Sequence, residues 1–203
     1  MMRERAALDV SHLPPHAYGS REPLWWGNLL LLVIEGTMFA LALATYFYLR
    51  KNFAHWPPPP TPDPALFLPT INLVVILVSL APAIRVHVLA VREGSQFQIQ
   101  LALMMEIAFI IAVLTMRFFE FRDLYTYWDT NAYGSITWSL LGLHLLHLVA
   151  SVCETTLLFV WTLTHRLDEK HRLDLSLLAI YWYFVVASWV VIYAVVFLGP
   201  RVM

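Results

Sequence analysis

Five stretches of this chain are each long and apolar enough to cross a lipid bilayer. A membrane helix needs about 20 mostly apolar residues, because each residue rises about 1.5 Å through a hydrocarbon core of roughly 30 Å. Such stretches cover residues 25–49, 66–91, 97–119, 133–164 and 175–198. In lipid the backbone must satisfy its own hydrogen bonds, so helices are the default spanning element. No alternating apolar–polar period competes for a strand assignment. The expected fold is an all-α, polytopic membrane bundle of five transmembrane helices, one membrane domain over 1–203. The first span is no cleaved signal, since it is too long and ends in Tyr46, Phe47 and Tyr48. Pro69 falls in the first turn of the second span and Pro82 inside it. The Pro-rich connector 57–64 reads as a stiff, extended link between spans one and two.

Composition narrows the classes. Of 203 residues, 60% are hydrophobic and 13% charged, against roughly 25% charged in soluble domains. A net charge of −1 gives no electrostatic footprint for DNA or RNA, so no nucleic-acid partner is expected. The single Cys153 can form neither an intramolecular disulfide nor a multi-cysteine metal set. Trp25, Trp26, Trp56, Trp128 and Trp138 fall near span ends and read as interfacial anchors. Gly27, Gly36, Gly134 and Gly142 read as sites of close helix approach.

Lysine and arginine set the orientation. One side collects Arg3, Arg5, Arg21, Arg85, Arg92, Arg166, Lys170 and Arg172. The other has Arg50, Lys51, Arg117, Arg122 and Arg201. This bias predicts a cytoplasmic N-terminus and an external C-terminus.

Ionisable groups inside spans are costly and therefore candidates for function. Glu35 lies ten residues into span one, about 15 Å deep on helical rise. Glu106 and Glu154 fall at a similar depth in spans three and four. Sharing one cleft would require at least one of them to be protonated or paired. His144 and His147 are three apart on one helical face and could ligate a metal. No Glu stands at the offset that a di-iron bundle uses. His87 is alone in span two.

The order of motifs resembles subunit III of the haem-copper oxidases, the cytochrome c and quinol oxidases of respiratory chains. Glu120 opens an aromatic-rich loop. Tyr133-Gly134-Ser135 follows, and then Gly142-Leu143-His144-Leu145-Leu146-His147. The family shows a Glu-aromatic pair, a Tyr-Gly-Ser and a Gly-x-His-Gly-x-His in that order. Gly27 and Glu35 match a family Gly eight residues before a buried Glu. Asn72, Ser79 and His87 match its next helix, and Tyr181-Trp182, Phe184-Val185 and Trp189 match its last. Five spans fit the shorter form of the family, which lacks two N-terminal helices. Departures are Arg117 for a usual Gln, Leu145 for the Gly between the histidines, Ser151 for a later Gly, and Tyr183 and Val186 for a His and an Asp.

The resemblance implies a non-catalytic subunit packed beside subunit I, with subunit II in the same complex. It implies that haems and copper sit in those partners, that this chain holds no metal of its own, and that phospholipid is bound. Family members hold lipid in a cleft between their first two helices and the remaining bundle, support proton uptake, and protect the complex during turnover. Glu35 would be the buried carboxylate of the cleft. Asn72, His87, Glu120, His144 and His147 would be structural polar residues, with Glu106 and Glu154 unassigned. The implied location is a bacterial-type inner membrane and the implied complex a proton-pumping cytochrome c oxidase, with a quinol oxidase or a nitric-oxide-reductase relative left open by the departures. Two other classes stay open. One is a stand-alone proton or ion transporter using Glu35, Glu106 and Glu154. The other is a membrane metalloenzyme using His144 and His147.

Overall fold

The computed structural model describes residues 23–202. Arg3, Arg5 and Arg21, on which the orientation partly rests, lie outside the described residues, as does the side chain of Lys170. Every regular element among the described residues is helical: α1 (Pro23–Lys51), α2 (Phe67–Val78), α3 (Leu80–Val91), α4 (Gln96–Arg122), α5 (Ala132–Thr164), α6 (Glu169–Tyr193), a π-helical turn (Ala194–Leu198) and α7 (Gly199–Val202). They make five spans of membrane-crossing length, with α2 and α3 forming one and α6 to α7 another.

The split at Ser79 has a covalent cause. Pro82 carries no N–H to donate to Val78, so the ladder is interrupted one turn earlier. The Ser79 hydroxyl donates to Ile76 O at 2.6 Å, and Trp182 Nε1 donates to that same hydroxyl at 3.0 Å. The break thus becomes a contact with α6. α3 ends with Glu93 in the left-handed region (φ 53°), and the Gly94 amide reaches back to Leu89 O at 2.8 Å. This closes the helix end as a Schellman motif. Arg172 donates to Leu89 O and Gly94 O, neutralising the exposed carbonyls of that terminus.

α6 is the most enclosed span and α1 the least. α6 packs against α1, α2, α3 and α5, whereas α1 leans only on α5 and α6 among the principal helix pairs. One stripe of α1 faces inward, including Asn28, Glu35, Gly36, Phe39 and Tyr46, while Leu30, Ile34, Leu41 and Tyr48 are exposed. The connector 57–64 folds back onto the bundle. Asn131 donates to Thr61 Oγ1 at 2.9 Å, and Arg201 donates to Pro64 O at 2.7 Å.

Two sequence expectations need correction. Trp56 is buried, with its ring edge-on to Tyr46 and Tyr133 at 5.4 and 5.2 Å, so it is core and not an interfacial anchor. The glycines also divide. A Cβ on Gly134 would stand 2.2 Å from Tyr127 O, so glycine is required there. A Cβ on Gly36 would make ordinary contact with Phe184, and Gly27 and Gly142 have nothing within 4 Å. The last two bring no helices of this chain together; each lines a cavity.

Candidate functional site

Among the described residues, three groups of ionisable side chains stand out within the membrane-spanning region. The first lies between α1, α5 and α6. Leu143 O can only accept, so the Nδ1 of His147, 2.6 Å away, carries a proton directed at it. This fixes the other nitrogen. Nε2 faces Glu35 Oε2 at 3.5 Å, within ion-pair reach, and neither atom makes a hydrogen bond among the described residues. Two states suit this geometry: a carboxylic acid facing a bare imidazole nitrogen, or a carboxylate facing an imidazolium. They differ by the position of one proton. Phe39 and Tyr181 enclose the imidazole, with ring centroids 4.9 and 6.4 Å away. The Tyr181 hydroxyl approaches Glu35, and Glu154 is close enough for its charge to act on both.

A cavity of about 540 Å³ opens beside this cluster. Its walls are leucines from α1, α5 and α6, including Leu31, Leu157 and Leu178, and its polar groups are Asn28, Glu154, Asp174 and Tyr181. Such a trough suits an acyl chain along the leucines and a polar group at the carboxylates. Asn28 Nδ2 donates to Leu177 O at 3.4 Å and clips α1 to α6 along its edge. The cavity does not divide the first two spans from the rest. α2 and α3 pack into α4 and α6, and only α1 stands across the trough.

The second cluster is an internal lock. Arg117 and Glu120 are both buried and meet at 2.5 Å. Asn72 Nδ2 donates to Glu120 Oε1 at 2.7 Å. His144 Nε2 lies 3.0 Å from Val185 O, which makes Nε2 the protonated nitrogen and leaves Nδ1 to accept from Arg117 at 3.2 Å. The Arg117 guanidinium also lies 3.6 Å over the Trp189 ring. One network therefore ties α2, α4, α5 and α6. In lipid the hydrophobic effect does not press helices together, so packing and hydrogen bonds of this kind must. Both His144 nitrogens are engaged here, which separates His144 from His147 despite their shared helix.

The third place is Glu106. It is 1% exposed, and neither carboxylate oxygen has a hydrogen-bond partner among the described residues. Its charge reaches Tyr183 on α6. His87 bonds Ser176 at 3.1 Å and lies 6.2 Å, ring to ring, from Tyr183. Of the three carboxylates at one depth, Glu35 and Glu154 thus share a site and Glu106 sits apart. No three His, Cys, Asp or Glu side chains come together as a metal-binding group among the described residues.

Sequence reasoning did not single out Tyr181, Asn28 or Asp174 as site residues, nor Arg117 as the centre of the lock. Arg117 and Glu120 carried a usable signal, opposite charges three apart inside an apolar span. Tyr181 carried none beyond its helix.

The geometry can be set beside known proteins. A family model described as cytochrome c oxidase subunit III matches residues 7–199. Cytochrome c oxidase subunit 3 of Synechocystis sp. is 26% identical over 199 residues, covering 94% of this chain and 83% of the relative. That of Thermostichus vulcanus is 26% identical over 178 residues, covering 86% and 87%. The human subunit 3 is 26% identical over 198 residues, covering 92% and 72%. A five-span, all-helical bundle whose match runs almost end to end places this chain in the cytochrome c oxidase subunit III family.

Proposed function

We propose that this chain is the non-catalytic subunit III of a respiratory haem-copper oxidase, that it packs beside subunit I, and that it holds phospholipid in the trough between α1, α5 and α6. The carrying observation is the Glu35–His147 pair, which lies one turn beyond Leu31 of the trough wall and beside Tyr181, which lines it. Burying a lone ionised carboxylate costs far more than burying a neutral acid or a paired one. The imidazole gives Glu35 a partner in either protonation state. Glu154 and Tyr181 stand near the same pair, and such a cluster of titratable groups suits a supporting role in proton uptake by the catalytic subunit. Oxygen reduction itself belongs to haem and copper in the partner subunits. The orientation with the N-terminus cytoplasmic puts the trough on the cytoplasmic side of a bacterial-type inner membrane, where protons are taken up.

The test is Glu35→Ala in the complex purified from its own membrane. Initial oxygen reduction should stay near the wild-type rate, while lipid content falls and activity decays sooner during turnover. Immediate and complete loss of oxygen reduction in an intact complex would sink the supporting role. A colourless chain that purifies without haem-bearing subunits would instead favour the stand-alone transporter.

A further inference from the structure

At the opposite end of the bundle, where the 123–131 loop joins α4 to α5, the two helices leave a groove of about 800 Å³. One wall is Phe118, Phe121 and Arg122, spaced to fall on a single face of α4. The other is Trp138, Gly142 and Leu145, similarly spaced on α5. Gly142 keeps the groove open, because no atom stands within 4 Å of where its Cβ would be. From the start of α5 to Leu145 the helix rises about 20 Å, the reach of a lipid tail into one leaflet.

The mouth is chemically different from the walls. Arg122 is exposed at the last residue of α4 and has no hydrogen-bond or ion-pair partner among the described residues. The Tyr125 and Tyr127 side chains stand beside it, 67% and 70% exposed. Tyr125 sits in the left-handed backbone region with φ 53°, which a bulky residue rarely adopts. No carboxylate lines the groove. The mouth thus offers a free cation and phenolic donors at the level of the lipid headgroups, above a dry channel lined by aromatic rings.

We propose that this groove seats one anionic phospholipid of the adjacent leaflet. Its phosphate lies against Arg122 with the tyrosine hydroxyls donating, and one acyl chain runs past Gly142 toward Leu145. A partner helix would fill the walls but leave the guanidinium without a counterion; a phosphate satisfies both parts of the site. The site lies outside the Glu35 trough and does not depend on what that trough holds.

The experiment is native mass spectrometry of the assembled, detergent-solubilised complex, titrated separately with phosphatidylglycerol and phosphatidylcholine. Wild type should bind phosphatidylglycerol at one more site than Arg122→Gln does at matched concentration. The preference for phosphatidylglycerol over phosphatidylcholine at that site should fall about fivefold, the effect of one interfacial arginine. Gly142→Leu, which fills the channel and leaves the cation, should lower occupancy by both lipids. Unchanged phosphatidylglycerol binding in both variants would overturn the proposal. So would a Gly142→Leu complex that sheds a partner subunit while its lipid count holds, since the groove would then be a protein interface.

Discussion

The guanidinium of Arg117 lies 3.6 Å above the Trp189 ring and 2.5 Å from Glu120, so a tryptophan and a carboxylate share one buried cation. Each partner compensates part of the cost of removing that charge from water. Arg117→Ala should therefore destabilise the chain by about 3–5 kcal/mol, because it strands Glu120 and the Nδ1 of His144 together. Arg117→Gln combined with Glu120→Gln removes both charges and should recover most of that loss. Thermal denaturation of wild type, Arg117→Ala and the double variant measures the recovery. A double variant no better than Arg117→Ala would show that the lock depends on shape and not on charge.

The Glu35–His147 contact makes a finer prediction. Glu35→Gln keeps a polar group facing Nε2 at the 3.5 Å ion-pair distance, whereas Glu35→Ala removes the polar group that this buried nitrogen faces. The glutamine variant should resemble wild type in thermal stability and the alanine variant should not. Equal melting temperatures for the two would mean that the pair does not hold α1 to α5.

The glycines offer a contrast within one chain. Gly134→Ala drives a methyl to within 2.2 Å of the Tyr127 carbonyl and should disrupt the start of α5 together with the preceding loop. Gly27→Ala meets nothing within 4 Å and should be neutral or stabilising by up to about 1 kcal/mol through helix propensity. Yield and melting temperature of each variant decide this. Similar behaviour in both would contradict the geometry at Gly134.

Acid should loosen the entry to α6. The Asp168 carboxylate caps the helix by accepting from the His171 amide at 3.0 Å, and it also meets the His171 ring. These bonds hold the Asp168 carboxyl below the usual aspartate range, the backbone amide contributing most. A lowered folded-state value stabilises the helix end above the ordinary carboxylate range. That contribution is lost as pH falls through the lowered value. Amide exchange at His171 should be fast in Asp168→Ala at neutral pH, slow in Asp168→Asn, and should approach the alanine rate in wild type on acidification. A His171 amide indifferent to all three changes would rule out the cap.

The spans were legible because twenty apolar residues leave a bilayer-bound chain few alternatives. The boundaries were less so. α6 begins at Glu169, six residues before the sequence-derived span, because Asp168 caps a charged first turn that hydropathy reads as loop. The π-helical turn at Ala194–Leu198 had no signal apart from Gly199-Pro200 just beyond it. Which face of each helix points inward was hidden for a physical reason: lipid and core are both apolar, so periodicity carries no contrast. On α1 the inward face is marked only by Asn28, Glu35 and Gly36. Depth put Glu35, Glu106 and Glu154 at one level but left open which of them face one another, because rotation about the helix axis does not alter depth.

The enclosure of α6 also bears on how the protein is made. It is the last of the five spans to leave the ribosome, and α1, α2, α3 and α5 all pack around it. Until it enters the membrane, Asn28, Ser79 and His144 lack the α6 atoms they bond, Leu177 O, Trp182 Nε1 and Val185 O. The earlier spans can pack on one another through α4 and α5, but these three groups stay without their α6 partners. The inserted but unfinished chain is thus the form most open to membrane proteases and most in need of a chaperone. Folding of the bundle is coupled to the synthesis of α6.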